Sequence, residues 1–195
     1  MGTPAPIGHD VPFQPSAAFL ALRCRCHAPQ AIAVETTPED PVETYAGIAR
    51  AVETLRPGDV IVVSTCHHGS YWGELIATAA SLRGAVGVVA DAYARDTRAL
   101  ELLGFPTFVA GINAQDSVGR MDVASVGEEV ECAGVVVRRG DLVLADNDGV
   151  VIVPIEVAEE AISEAEAKFA TEGELRARLQ EGMPITEAVA TYGVL

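Results

Sequence analysis

Apolar residues recur along this chain with two different periods, and the alternation between them predicts the architecture. Val42, Tyr45, Ala46, Ala49, Val52 and Leu55 fall at helical spacing. Asp40 stands before them as a cap and Pro41 as the first helical residue, while Arg56, Pro57 and Gly58 stop the helix. Residues 59–65 (DVIVVST) form a short, nearly all-apolar run, the pattern of a strand covered on both faces. A polar loop at 66–72 follows, then a helix over 73–83 closed by Gly84 and a second buried strand at 86–90. An exit loop at 91–96, a short helix at 97–103 and a third strand at 106–110 complete this half. Such alternation favours a parallel sheet with right-handed crossovers.

The second half changes character. Residues 134–138, 142–145 and 150–153 are short β runs separated by Arg139-Gly140-Asp141 and Asp146-Asn147-Asp148-Gly149, which are turn sequences. That pattern predicts an antiparallel meander. Pro154 opens a long acidic helix running to about Lys168 or beyond, and a last short helix spans 184–192. At the front, residues 1–16 are rich in Pro and Gly and read as an irregular arm, and 17–34 carry one or two strands. With no internal repeat and no clean linker, the expectation is one mixed α/β domain over residues 17–195.

Composition narrows the chemistry. Apolar residues make up 49% of the 195, enough for a packed core. A net charge of −15 repels phosphate backbones and argues against a nucleic-acid partner. No apolar run reaches the roughly 18 residues of a spanning helix, and no basic residue precedes an apolar stretch near Met1. The expectation is therefore a cytoplasmic protein with no membrane partner. Lys168 is the one lysine, against twelve arginines, and it lies on an acidic amphipathic stretch. A Schiff-base mechanism has no other residue to use. No GxxxxGK[ST] occurs, and the cysteines Cys24, Cys26, Cys66 and Cys132 form no CxxC pair.

The sharpest constellation is Trp72-Gly73-Glu74 with the segment Asp91 to Asp96 (DAYARD). Glu74 opens a helix after one strand, and Arg95 and Asp96 lie beyond the carboxyl end of the next. In an open α/β sheet these places converge on a ligand crevice, so Glu74, Asp91, Arg95 and Asp96 are expected to meet there. Mg²⁺ takes oxygen ligands and is often held by one or two carboxylates. Asp96 suits direct ligation and Glu74 a metal-bound water. The amides of Leu75 and Ile76 suit a substrate carboxylate, and the Arg95 fork suits a keto or enolate oxygen. The plain structural reading is that Asp96 merely caps the helix at 97–103.

The stretch WGELIATAASLRGAVGVVADAYARD resembles the signature of the RraA-like family, which includes 4-hydroxy-4-methyl-2-oxoglutarate aldolases, oxaloacetate decarboxylases and proteins named regulators of ribonuclease E. Its acidic residue, twenty intervening residues and Arg-Asp are met by Glu74, Arg95 and Asp96. RRGDLVLADNDGVVIVP at 138–154 and the ending ELRARLQEGMPITEAVATYGVL resemble the family's later strands and helices. The resemblance implies a compact α/β/β fold of the swivelling phosphohistidine-domain-like type, assembled as homotrimers or hexamers with active sites between subunits. It implies Mg²⁺ (or Mn²⁺) bound directly by Asp96 and through water by Glu74, with pyruvate-type acids on Arg95 and the Gly73, Glu74, Leu75 and Ile76 turn. The implied activity is class II cleavage of a pyruvate-derived 2-keto acid, by retro-aldol or by decarboxylation of oxaloacetate, through a metal-stabilised pyruvate enolate. Two alternatives stay open: a non-catalytic regulatory protein of this type, and a diverged enzyme acting on a specialised-pathway acid. The sequence departs from the family at Ala92, where Gly is usual, and at Ala99, where many members are acidic. Glu172 and Glu174 are candidates for the glutamate that a neighbouring subunit lends in the aldolases.

Other motifs take structural readings. Adjacent His67 and His68 beside Cys66 do not readily converge on one zinc ion. Cys24 and Cys26 share one face of a strand and read as packing residues. The sequence Asp146 to Gly149 resembles the start of a calcium loop, but the twelfth position is Val157 rather than Glu, so a tight turn is expected. The seven glutamates between Glu156 and Glu174 read as a solvated helix face.

Overall fold

The computed structural model describes residues 19–26, 41–65, 69–118 and 120–193. The expected arm at 1–16, and the Cys66, His67 and His68 cluster, lie outside the described residues. The chain divides into two compact units, Met1–Arg139 and Gly140–Leu195.

The first unit is built on β4 (Gly87–Ala94), which pairs with three strands, all in parallel. Along one edge run β2 (Val60–Ser64) and then β3 (Ser70–Trp72), and along the other runs β5 (Thr107–Ile112). The sheet continues from β2 through β1 (Phe19–Cys26), also parallel, to β6 (Met121–Val126), which is antiparallel to β1. The expected parallel sheet is present, with an added antiparallel edge. Helices α1 (Pro41–Glu53), α2 (Glu74–Leu82) and α3 (Thr97–Leu103) make the crossovers. Their starts and stops follow the sequence signals: Pro41 opens α1, and Gly104 closes α3 at φ 67.

Small residues let these layers approach. Ala90, Ala92 and Ala94 of β4 are buried, as are Ala77 and Ala80 of α2. They join Ile61, Val63 and Val88 in one core, where fully buried Trp72 stacks on Phe105 at 6.0 Å between ring centroids. The methyl of Ala92, where the resemblance expects Gly, faces this core rather than a ligand.

Four features depart from the sequence expectation. The polar loop at 66–72 ends in β3, whose Ser70 is fully buried with its hydroxyl donating to the Asn113 carbonyl. The strand predicted at 86–90 runs on to Ala94, so most of the expected exit loop is strand. Polar Asp91 disguised it, since its carboxylate is satisfied locally by the amides of Thr65 (2.6 Å) and Ala133 (3.3 Å). Neither β6 nor β7 (Val130–Cys132) was anticipated. Finally, β8 (Val135–Val137) pairs with β7, with Val130 opposite Val137, so the three-strand meander does not form.

Cys132 lies 6% exposed under this hairpin, its thiol 3.6 Å from the Val63 carbonyl. Burial, followed by the Asp91 charge, pushes that thiol up to about 11. A buried, protonated thiol is inert. Iodoacetamide at pH 8 is therefore expected to leave Cys132 unmodified in the native protein and to alkylate it in denaturant, as read by peptide mass spectrometry. Because folding raises this pKa, its contribution to stability is full below about pH 9 and is lost as pH rises toward about 11. Alkylation of native Cys132 at pH 8 at the denatured rate would refute this assignment.

In the second unit, β9 (Leu142–Ala145) and β10 (Val150–Val153) form a hairpin, with Asp146 N–H donating to the Gly149 carbonyl at 3.0 Å. Asp146 Oδ1 accepts from the Asp148 amide at 2.8 Å, which makes this segment the expected tight turn. A single 3-10 turn (Ile155–Val157) leads into the expected long helix α4 (Ala158–Gln180), which runs on beyond Lys168, and α5 (Ile185–Tyr192) follows. Most of α4 is exposed, and Glu172 pairs with Lys168 at 3.7 Å. No described helix is long and apolar enough to cross a membrane.

Candidate functional site

The carboxyl end of β4 and the amino end of α2 meet because β3 delivers one to the other. Ser70 pairs with Tyr93 and Trp72 with Ala94, and the Arg95 amide donates to the Trp72 carbonyl at 2.9 Å. Gly73 then turns the chain into α2. A Cβ on Gly73 would stand 2.8 Å from Asp96 Oδ2 and 3.2 Å from Arg95 Cγ, so a side chain here would push the Asp96 carboxylate aside and crowd Arg95.

Asp96 is held in the left-handed region, at φ 58 and ψ 32, a conformation that Asp tolerates better than most residues. Its backbone carbonyl starts α3, accepting from Ala99 at 2.8 Å and Leu100 at 3.0 Å. Its side chain makes no cap there. Oδ2 turns instead toward α2 and accepts the Glu74 amide at 3.3 Å. The capping role therefore belongs to the backbone, and the carboxylate, about half exposed, faces the corner.

Arg95 lies between acceptors. One terminal nitrogen donates to the Ser70 carbonyl at 3.1 Å, the other sits 3.4 Å from Asp116 Oδ2, and Nε sits 3.7 Å from Asp96 Oδ2. The Tyr45 hydroxyl donates to Asp116, 3.0 and 3.1 Å from its two oxygens. Burial, with the hydrogen bond and charge of Asp116 next, raises the Tyr45 pKa above the ordinary phenol value, against a smaller opposing pull from Arg95. Tyr45 thus stays a neutral donor at neutral pH.

Of the residues the sequence singled out, Gly73, Glu74, Arg95 and Asp96 come together here, with the first-turn amides of Leu75 and Ile76 beside them at an α2 terminus that has no side-chain cap. Two refinements apply. The Glu74 carboxylate lies along its own helix and accepts from the Thr78 hydroxyl at 2.8 Å, so its approach to Asp96 is through its amide. Asp91 does not join: it binds the Thr65 and Ala133 amides, with the Ser64 hydroxyl 3.4 Å away. Asp116 and Tyr45 were missed. Asp116 lies beyond the carboxyl end of β5, and the rule that selected Arg95 would have flagged it. Tyr45 carries no such signal, because it counts as one apolar position of α1.

The donor set suits a hard cation. Asp96 and Asp116 place two carboxylates around one guanidinium, a negative balance that a doubly charged acid would meet as repulsion unless a cation offset it. Among the described residues no three His, Cys, Asp or Glu side chains converge on one point. An ion at Asp96 would take most of its shell from water and substrate oxygens, the habit of Mg²⁺. Beside Arg95, a cleft of about 440 Å³ opens between α1 and α2.

Asp116 is a positioning residue for Arg95. Asp116→Asn keeps a partner for Tyr45 but removes the charge that holds the guanidinium. The expected result is a Tyr45 titration moved down toward the ordinary phenol value, read by ultraviolet difference against Tyr45→Phe. Any activity resting on Arg95 should fall roughly 10–100-fold. An unmoved titration would show that the pair does not persist in solution.

A family model described as RraA-like: Aldolase/RraA matches residues 16–152. Among curated relatives, a protein of Halalkalibacterium halodurans named "Putative 4-hydroxy-4-methyl-2-oxoglutarate aldolase" is 32% identical over 63% of this chain and 59% of its own length. An uncharacterized protein of Methanocaldococcus jannaschii is 30% identical over 66% of this chain and 64% of its own. The chain thus spans about three fifths of the length of these relatives. Among solved structures, a Pseudomonas syringae protein superposes with TM-score 0.75 at 24% identity, covering 93% of this chain and 78% of that one. Streptomyces coelicolor RraAS2, described as an unusual member of the RNase ES inhibitor RraA protein family, gives TM-score 0.68 at 25% identity, covering 84% and 82%.

Proposed function

The chain belongs to the RraA-like family, and from that membership we propose that it is a divalent-metal-dependent lyase that cleaves a carbon–carbon bond in a pyruvate-derived 2-keto acid. The observation that carries this reading is the corner where Gly73 brings Arg95 and Asp96 against the start of α2.

The substrate carboxylate takes the Leu75 and Ile76 amides, where the helix dipole favours an anion. Arg95 exchanges part of its contact with Asp116 for the C2 oxygen. When the C3–C4 bond breaks, its electron pair becomes the enolate of pyruvate, and Arg95 stabilises the developing oxyanion. In a retro-aldol cleavage Glu74, swung from Thr78, takes the C4 hydroxyl proton directly or through one water, and a proton is returned to C3. In oxaloacetate decarboxylation carbon dioxide leaves and only the return to C3 is needed. Mg²⁺ or Mn²⁺ would be held here by Asp96 and Glu74 and would supply Lewis-acid polarisation of the keto acid.

Pyruvate release from oxaloacetate and from 4-hydroxy-4-methyl-2-oxoglutarate, with Mg²⁺ and with a chelator, tests the proposal. Metal-dependent release of pyruvate from either acid is expected. The rival is a non-catalytic regulatory protein, a reading supported by the description of the Streptomyces neighbour. Equal background rates under all conditions would leave that rival standing. The lyase reading also carries a trimer or a multiple of it, with sites completed between subunits. Light scattering showing a stable monomer at micromolar concentration would remove the shared site.

A further inference from the structure

We infer that the substrate is a 2-keto acid carrying an extended apolar substituent, which lies in the cleft between α1 and α2 while its acid end sits at Arg95. This inference rests on the lyase reading and narrows its substrate class. The cleft and the reactive corner are continuous, because Arg95 lines both. From Arg95 outward its walls are the Tyr45 ring, Ile48 and Val52 on α1, and Ile76 and Ala79 on α2. Its volume of about 440 Å³ exceeds what a three-carbon acid occupies and falls within the usual range of small-molecule sites, about 300–1,000 Å³.

Polarity is confined to the two ends. At the inner end the Tyr45 hydroxyl is turned away to Asp116, leaving the ring as wall. At the outer end Arg83 reaches across to the Glu53 carbonyl at 2.7 Å and closes the groove. The span from Leu75 to Arg83 is about 12 Å of helix. A small, doubly charged acid gains nothing from this surface. An unbranched or aryl substituent gains the transfer of each methylene from water.

The test measures binding of pyruvate, 2-oxobutanoate, 2-oxohexanoate and 2-oxooctanoate by calorimetry in Mg²⁺. Affinity is expected to rise by about fourfold per added methylene, levelling off once the chain reaches Arg83. Ala79→Trp and, from the opposite wall, Ala49→Trp fill the groove at exposed positions where the fold tolerates bulk. Both should abolish the length dependence. If pyruvate binds and length adds nothing, or if the gain survives both tryptophans, the groove inference is overturned while the lyase reading stands. If no acid binds, pyruvate included, the lyase reading falls and the inference with it. An oligomer that dissociates on Ala79→Trp would overturn the inference by assigning the groove to a second copy of the chain.

Discussion

Arg95→Ala is expected to lower pyruvate formation by about 10²–10³-fold, the loss usual when one oxyanion donor is removed. The loss should fall on kcat, since the guanidinium acts most strongly once charge has developed on the C2 oxygen. Arg95→Lys should restore little. The native side chain serves Ser70, Asp116 and Asp96 with three different nitrogens, and an ammonium cannot reproduce that spread. Steady-state kinetics on oxaloacetate at saturating Mg²⁺ decides the matter, and wild-type kcat in Arg95→Ala would remove this residue from the chemistry.

Asp96 carries the second large effect. Asp96→Asn is expected to abolish the metal-dependent rate, with excess Mg²⁺ failing to recover it, because an amide is a far poorer ligand for a hard cation. Asparagine is the better probe than alanine. Residue 96 sits at φ 58, where Asn is tolerated and Ala adds strain of about 1–2 kcal/mol. Glu74→Gln should be milder, raising the Mg²⁺ requirement without eliminating turnover. The comparison is wild type against Asp96→Asn, each with Mg²⁺ and with chelator. Four equal rates would sink the lyase reading.

Much of this arrangement was legible in the chain because its signals are local. Pro41 and the Gly73-Glu74 junction mark helix starts, and the all-apolar run before Thr65 marks a strand wherever it lies. Arg95 and Asp96 were legible by position, since strand ends in open sheets converge. What stayed hidden depends on pairing. Ser70-Tyr71-Trp72 is too short to show alternation and becomes β3 only because the end of β4 accepts it. Asp91 looked like a loop residue until the Thr65 and Ala133 amides gave its charge a place inside the sheet. The Tyr45–Asp116 contact joins positions 71 residues apart, and neither end carries a mark of the other. Of the short strands after Gly134, β9 and β10 pair across their turn as expected, whereas β8 pairs with β7, because turn sequences show where a chain reverses and not which neighbour it finds.

Strand β1 has a consequence in time rather than in chemistry. It lies between β2 and β6, and its Leu22 pairs with Val126, roughly a hundred residues later in the chain. During synthesis the early strand must wait, one edge open, until β6 leaves the ribosome, and in refolding the same gap must be closed as a long loop. Closure should therefore come late, with β1 amides losing exchange with solvent in the same slow phase as those of β6 and after those of the β2–β4 pair. Pulsed hydrogen exchange would show this order, and simultaneous protection of all four strands would contradict it. Until that moment the open edge is a template for a second nascent chain.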